Sequence, residues 1–258
     1  MAAVSPLDRF RLDGRVAVVT GASAGLGARF ARVLDAVGAS VVIAARRADR
    51  LAELATELRD AVTVPVDLTD PGGPEAVVAA AIEHHGRIDV LVNNAGISRV
   101  VPAVDYETDR FREEIEVNLI APYALARLVG AHLIEAGRPG AVVNVGSILG
   151  QVAGGRLRVP GYAAAKGGLH NLTRELASEW ARKGVRVNAL APAWFETEMT
   201  TDGIFHSDAG LAYVEGNTPM GRGGRLDELD GALLFLASDA SSYVTGHILY
   251  VDGGWTAI

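Results

Sequence analysis

Short apolar runs recur along the chain, each followed by a stretch whose apolar residues return at helical spacing. Val16–Thr20, Ser40–Ala45, Val62–Val66, Ile88–Val92, Ala141–Val145 and Val185–Leu190 read as buried strands. Helical patterns follow them over about 25–37, 50–60, 75–85, 106–136 and 160–183, with a last helix over 226–238 and a seventh strand in 246–255. Strands that are apolar throughout, alternating with helices, predict an α/β fold: a Rossmann-like, doubly wound parallel sheet of about seven strands with helices on both faces. No boundary interrupts the alternation, so 1–258 is expected to be a single dinucleotide-binding and catalytic domain. The pattern loosens only at about 194–224, which is rich in glycine and carries Trp194, Phe195, Met199, Phe205 and Tyr213. This stretch is expected to form a mobile lid over a substrate. In such sheets the ligand crevice lies at the carboxyl ends of the strands.

Five strand ends carry chemistry. The first runs straight into Gly21-Ala22-Ser23-Ala24-Gly25-Leu26-Gly27 and then a helix. Gly21 permits a tight turn, Gly25 lets backbone approach a pyrophosphate, and Gly27 allows close helix packing, with the helix N-terminus facing the anion. The second strand ends in Ala45-Arg46-Arg47, where an acid would otherwise hold the ribose hydroxyls of NAD. Ala45 accepts nothing, whereas Arg46 pairs with a 2′-phosphate through its planar fork, so NADP (NADPH) is favoured and NAD is second. The bland alternative is two solvated arginines opening the next helix. Asp67 and Leu68 end the third strand as adenine contacts. Asn93-Asn94-Ala95-Gly96 ends the fourth, its amides able to tie strand to turn and Gly96 leaving backbone room near the cofactor.

The fifth strand delivers Ser147, and the helix after it delivers Tyr162 and Lys166, four apart and so on one helix face. An ammonium near a phenol favours phenolate, which would bring the tyrosine's pKa down from about 10 and suit it to proton transfer. Ser147 would hold a substrate oxygen. A Tyr-x-x-x-Lys pair alone is also an ordinary surface feature; the strand-borne serine and the glycine turn in the same chain give it meaning. Asn118, polar on an apolar helix face, needs backbone partners.

Composition narrows the setting. Of 258 residues 49% are apolar, enough for one large core, and no run of eighteen apolar residues suggests a membrane span. The first ten residues lack the plan of a secretory signal, so a cytoplasmic location and no membrane partner are expected. A net charge of −7 argues against nucleic acid as a partner. With no cysteine and six histidines without ligand spacing, no thiolate chemistry, disulfide or catalytic metal is expected.

Taken together, these motifs resemble the short-chain dehydrogenase/reductase family over nearly the whole chain, Arg15 to Trp255. The family's nucleotide turn matches Thr20–Gly27, its adenine-pocket aspartate Asp67, its Asn-Asn-Ala-Gly signature 93–96, and its catalytic tetrad Asn118, Ser147, Tyr162 and Lys166. The resemblance implies an oxidoreductase that interconverts a secondary alcohol and a ketone by hydride transfer to or from the nicotinamide. Tyr162 would act as acid/base, Ser147 on the substrate oxygen, Lys166 on the tyrosine and the nicotinamide ribose, and Asn118 on a water linking the lysine to solvent. It places Pro192, Ala193 and Phe195 at the nicotinamide and Thr197 at the nicotinamide amide or the phosphates, and implies a homotetramer. Two departures stand out: Pro192-Ala193 replaces the family's Pro-Gly, and the interval from Ser147 to Tyr162 is longer than usual, with Gly154, Gly155 and Arg156 in the added loop. The substrate stays open among sugars and polyols, small ketones, steroid-like rings and a 3-oxoacyl thioester on a carrier protein, for which Arg138, Arg182 and Lys183 would be the landing patch. Trp194 and Phe195 lean toward an apolar or ring-shaped substrate. The contrasting reading is a dinucleotide-binding regulator without turnover.

Overall fold

The computed structural model describes residues 5–200 and 204–258. Seven strands form one parallel sheet: β1 (Val16–Thr20), β2 (Ser40–Ala45), β3 (Ala61–Pro65), β4 (Val90–Asn93), β5 (Gly140–Val145), β6 (Val185–Pro192) and β7 (Ile248–Val251). Their order is β3-β2-β1-β4-β5-β6-β7, so the winding reverses between β1 and β4. The helices are α1 (Gly25–Ala36), α2 (Ala48–Ala55), α3 (Gly73–His85), α4 (Thr108–Ile115), α5 (Ala121–Glu135), α6 (Pro160–Trp180), the single turn α7 (Glu198–Thr200), α8 (Asp208–Asn217) and α9 (Asp230–Ala237).

Strand pleating sorts the core into two layers. Ala17, Val19, Val41 and Ile43 face one side with Phe30 and Leu34 of α1, Leu51 and Leu54 of α2, and Leu233 and Leu236 of α9. Val16, Val18, Val42 and Ala44 face the other with Val77 of α3, Leu125, Val129 and Leu133 of α5, and Leu176 and Trp180 of α6. Both faces of the sheet are thus dry, which is why its strands carry no polar alternation. Trp180 lies over Gly130, where a methyl group would come within 2.8 Å of the indole. Helices α5 and α6 therefore pack closely at that point.

Some boundaries differ from the sequence expectation. The second helix ends at Ala55 rather than near Asp60, because the Thr56 hydroxyl turns back to donate to the Glu53 carbonyl at 2.7 Å. The expected long helix over 106–136 begins at Thr108 and is interrupted by a π-helical turn, Glu116–Ile120, that contains Asn118. Such turns widen a helix locally and often sit at functional places. The unit Thr108–Glu135 has the length and hydropathy (1.4) of a spanning helix, yet its apolar stripe is the one that covers the sheet.

Beneath the carboxyl edge of β4 and β5 lies a buried polar network. Asn93 donates to Pro122 O (3.1 Å) and Asn144 Oδ1 (3.0 Å), Asn144 donates to the Thr173 hydroxyl (2.9 Å), and that hydroxyl donates to Leu169 O (2.8 Å). It fixes α5 and α6 against the two central strands. Removing one member strands the others without water, a cost of about 1–3 kcal/mol. Asn144→Ala is expected to lower the unfolding free energy by about 2 kcal/mol, read from urea denaturation followed by tryptophan fluorescence.

Candidate active site

The site is assembled where β1, β4, β5 and β6 end. Thr20, the last residue of β1, accepts the backbone N–H groups of Asn94 (3.0 Å) and Ala95 (3.1 Å) on its hydroxyl, while Asn94 donates its side-chain amide to Thr20 O at 2.9 Å. This joint closes the switch point of the sheet. Gly21 has φ +65° and its Cα lies so near the joint that a methyl would be 2.8 Å from Ala95 Cα. Gly25 has φ +53°, and a methyl there would lie 3.5 Å from Thr197 Cβ. Gly27 differs from its expected part. It faces the turn rather than the strand, since a methyl there would collide with Gly21 O and with the Asn94 amide.

A cleft of about 520 Å³ runs along this edge. At one end are Ser23, Arg46, Arg47, Asp67, Leu68 and Thr69; at the other are Ser147, Tyr162, Lys166, Ala193, Phe195 and Thr197. Gly21, Ala24, Gly25, Leu26, Asn94, Ala95, Gly96 and Pro192 line the middle and the floor. Of the catalytic and cofactor-binding residues expected from the sequence, all but Gly27 and Asn118 line the cleft. A dinucleotide fits this shape. Helix α1 starts at Ala24 with no side-chain cap, leaving its first N–H groups for an anion beside the glycine turn.

The arginines divide the adenosine end. Arg46 is exposed (71%) and lies 3.7 Å from Asp67 Oδ2. Two donors from Thr69, led by its backbone N–H, hold the Asp67 carboxyl below its usual range, and Arg46 adds to the effect. Arg47 is the one fixed at the turn: it donates to the Ser23 hydroxyl at 3.0 and 3.1 Å and pairs with Glu198 of α7 at 3.0 Å. Thr20, Arg47, Glu198, Met199 and Thr200 belong to the site or its frame and were not singled out as site residues. Arg47 was legible as half of an Arg-Arg pair, and Thr20 as the residue opening the glycine turn.

At the other end, Ser147 is buried just past β5 and accepts the Leu149 N–H at 3.1 Å, which aims its hydroxyl across the turn. Lys166 is buried, donates to Val145 O at 2.6 Å, and has its Nζ 5.4 Å from the centre of the Tyr162 ring. The expectation that this ammonium brings the phenol down is not met in the free chain. Tyr162 has accessible surface in the cleft, yet protein surrounds it closely, and burial pushes it up to about 12. A hydrogen bond with Ser147 pulls the other way, and the charge of Glu114 adds to the rise. Lys166 itself is pushed down to about 8 by burial and is directed at a carbonyl rather than at the phenol oxygen.

Asn118 is saturated by backbone. Its amide donates to Ile97 O (2.9 Å) and Glu114 O (2.8 Å), and its Oδ1 accepts Ile97 N–H at 3.2 Å. It braces the helix against the segment leaving Gly96, where a methyl would be 2.7 Å from its Oδ1.

The stretch 194–224 departs from a plain lid at both ends. Trp194 and Phe195 are buried, Phe195 pairs with Gly224 as an isolated parallel bridge, and Trp194 packs edge-on to Trp255 and Tyr213. Trp194 and Phe195 belong to two different apolar clusters; a methyl on Gly224 would run into the Phe195 ring, and one on Gly223 into the Phe205 ring. The part that overhangs the cleft is Thr197–Thr200, held by the Thr200 hydroxyl on Phe195 O at 2.6 Å. Residues 201–203 of the expected lid lie outside the described residues. Ala193 is unstrained in place of the family's glycine: no non-glycine among the described residues has positive φ.

Residues 21–256 match the family model described as Enoyl-(Acyl carrier protein) reductase. The chain is 42% identical over 251 residues to galactitol 2-dehydrogenase (L-tagatose-forming) of Cereibacter sphaeroides, covering 96% of this chain and 97% of that one. It is also 42% identical over 256 residues to cis-4-hydroxycyclohexanecarboxylate dehydrogenase of Sinomonas cyclohexanicum, with 95% and 97% covered. A gluconate 5-dehydrogenase from Burkholderia cenocepacia J2315, solved in complex with NADP and tartrate, superposes with a TM-score of 0.91 at 39% identity over 98% of this chain and 99% of that one. The chain belongs to the short-chain dehydrogenase/reductase family and is an oxidoreductase acting on CH–OH groups.

His170, one turn after Lys166, supports the serine turn from below: methyl groups on Gly146 or Gly150 would run into its ring. It is buried, and burial, then the charges of Lys166 and Arg174, pushes it down to about 4. The native protein therefore refuses a proton that the unfolded chain accepts, so this group's contribution to stability is full above about pH 6.5 and is lost as pH falls toward 4. Over that interval the wild type is expected to lose up to about 3 kcal/mol more than His170→Leu, measured as urea unfolding free energies across the pH range.

Proposed function

We propose that the protein is an NADP(H)-dependent dehydrogenase that interconverts a secondary alcohol of a polyol, sugar acid or hydroxylated ring and the corresponding ketone. One observation carries this: Ser147, Tyr162 and Lys166 line one end of a single cleft whose other end holds Ser23, Arg46 and Arg47. The named relatives and the solved neighbour act on such alcohols, and the neighbour was solved with NADP. The family model's description names a different reduction, so membership of the family does not itself select the substrate.

NADP(H), when bound, supplies the hydride acceptor or donor and, in its oxidised form, a positive charge beside the phenol. Its phosphates would rest on the turn Gly21–Gly27 and the start of α1, its 2′-phosphate among Ser23, Arg46 and Arg47, its adenine by Asp67 and Leu68, and its nicotinamide end by Asn94, Ala95, Gly96, Pro192, Ala193, Phe195 and Thr197. In the oxidative direction Tyr162, as phenolate, takes the substrate hydroxyl's proton, and Ser147 donates a hydrogen bond to the oxygen as it becomes a carbonyl. In the reductive direction the neutral phenol gives that proton back. Lys166 holds the ribose and shares its charge with the phenol when it turns from Val145 O. Asn118 would contribute a water only through its backbone, since both amide hydrogens are spent. Thr197–Thr200, with the segment to 224, would close over the substrate. A cytoplasmic homotetramer completes the reading, supported by the half-buried edge strand β7 and by Ile120 and Tyr123, exposed on the composite helix.

Two measurements test the reading. Tyr162→Phe is expected to lower kcat/KM for alcohol oxidation by about 10²–10⁴-fold while leaving NADPH binding, followed by fluorescence, unchanged; full activity in this variant would leave a regulator without turnover as the better account. Arg46→Ala and Arg47→Ala are each expected to reduce the ratio of NADPH to NADH efficiency by about tenfold or more, with the larger loss at Arg47, and an unchanged ratio in both would remove the 2′-phosphate assignment.

A further inference from the structure

One buried acid has no part in the chemistry so far. Glu114 is fully buried on α4, one turn before Asn118, in a stretch otherwise polar. Taking a carboxylate out of water is costly unless its oxygens are paired. Its Oε1 accepts the Arg99 backbone N–H at 2.6 Å, but its Oε2 is buried without a hydrogen-bond partner. That oxygen abuts Gly161, the residue before Tyr162: a methyl on Gly161 would collide with it and lie 3.3 Å from the buried Tyr106 hydroxyl, which the same carboxylate helps hold protonated. Helix α6 begins here with no side-chain cap, so the carboxylate sits at the positive end of the helix that carries the phenol.

Arg99 is the nearby cation: it pairs with Glu113, which lines the cleft, at 2.8 Å, and its charge also interacts with Glu114. Lys166, on Tyr162's own helix, points to Val145 O, and His170 beyond it is held neutral. Ser147 faces the phenol as a neutral donor. Glu114 is the anion among the groups that act on Tyr162.

We propose that Glu114 is a positioning residue for Tyr162: it locks the first turn of α6 to the segment following the Asn-Asn-Ala-Gly turn and keeps a negative charge against that turn. This rests on the reading of Tyr162 as the proton-transferring group. Its consequence is a catalyst biased toward giving a proton to a ketone, with alcohol oxidation displaced to higher pH. The glycine at 161 follows from the same contact, because no side chain fits between the helix and the carboxylate.

The test is the pH profile of kcat/KM for alcohol oxidation by the full-length enzyme with saturating NADP. Glu114→Gln keeps the shape and the acceptor for Arg99 N–H but removes the charge; Glu114→Met removes the charge and keeps packing, and such apolar replacements of buried charges are often tolerated. Both are expected to move the alkaline midpoint down by about half to one pH unit, whereas Glu114→Asp stays near the wild type and NADPH binding is unaltered in all three. Profiles of the neutral variants that overlay the wild type, with only the melting temperature lowered, would show a brace for the fold and overturn the inference. Failure of both neutral variants to fold while Glu114→Asp folds would also count against it, since the charge would then serve folding. Activity retained by Tyr162→Phe would instead remove the reading beneath it.

Discussion

Every group in the cleft hangs from the carboxyl edge of the parallel sheet, and that edge depends on how β1 and β4 are joined where the winding reverses. The Thr20 hydroxyl accepts two successive N–H groups from the turn after β4, and Asn94 returns a bond to Thr20 O. Without these bonds the ends of two parallel strands would present unpaired polar backbone at the partly buried floor of the cleft. With them, the glycine turn and the Asn-Asn-Ala-Gly turn become one rigid floor, and the positive φ of Gly21 is the cost of fitting them together. The phosphate end and the hydride end of the cleft are thereby held at a fixed separation by covalent geometry and a few short bonds.

At the reactive end the environment works against ionisation. Tyr162 and Lys166 are each pushed toward their neutral forms by the same burial, upward for the acid and downward for the base. The ammonium donates to Val145 O rather than to the phenol oxygen. A site arranged this way becomes an acid/base couple when ligand charge and ligand hydrogen bonds rearrange the lysine, which makes proton transfer conditional on occupancy.

Much of the architecture was legible because it rests on local rules. Apolar runs of strand length, glycines at the turn and the interval of four between Tyr162 and Lys166 all express backbone geometry that neighbouring residues determine, and the sheet and cleft follow from them. What escaped depended on tertiary placement. Arg46 and Arg47 are adjacent in sequence, and only the start of α2 decides that Arg47 meets Ser23 and Glu198. Glu114 lies in Thr-Asp-Arg-Phe-Arg-Glu-Glu-Ile, a segment that reads as solvated, and its full burial comes from the packing of α4 against α6. Trp194 and Phe195 sit in a glycine-rich stretch that reads as a lid; Gly224 leaves room for the Phe195 ring, while Trp194 is buried against Tyr213 and Trp255. The rise of the Tyr162 phenol comes from burial, which spacing does not report: an interval of four places an ammonium near a ring without saying which atom it addresses.

The Arg47–Glu198 pair has a consequence for selectivity. A guanidinium already paired with a carboxylate is not an idle anion trap: a 2′-phosphate arriving there would exchange one negative partner for another and release the acid on the overhanging turn. The net gain over a plain hydroxyl is then the difference between two ion pairs, so discrimination between the two dinucleotides is set as much by the overhang's acid as by the arginine beneath it.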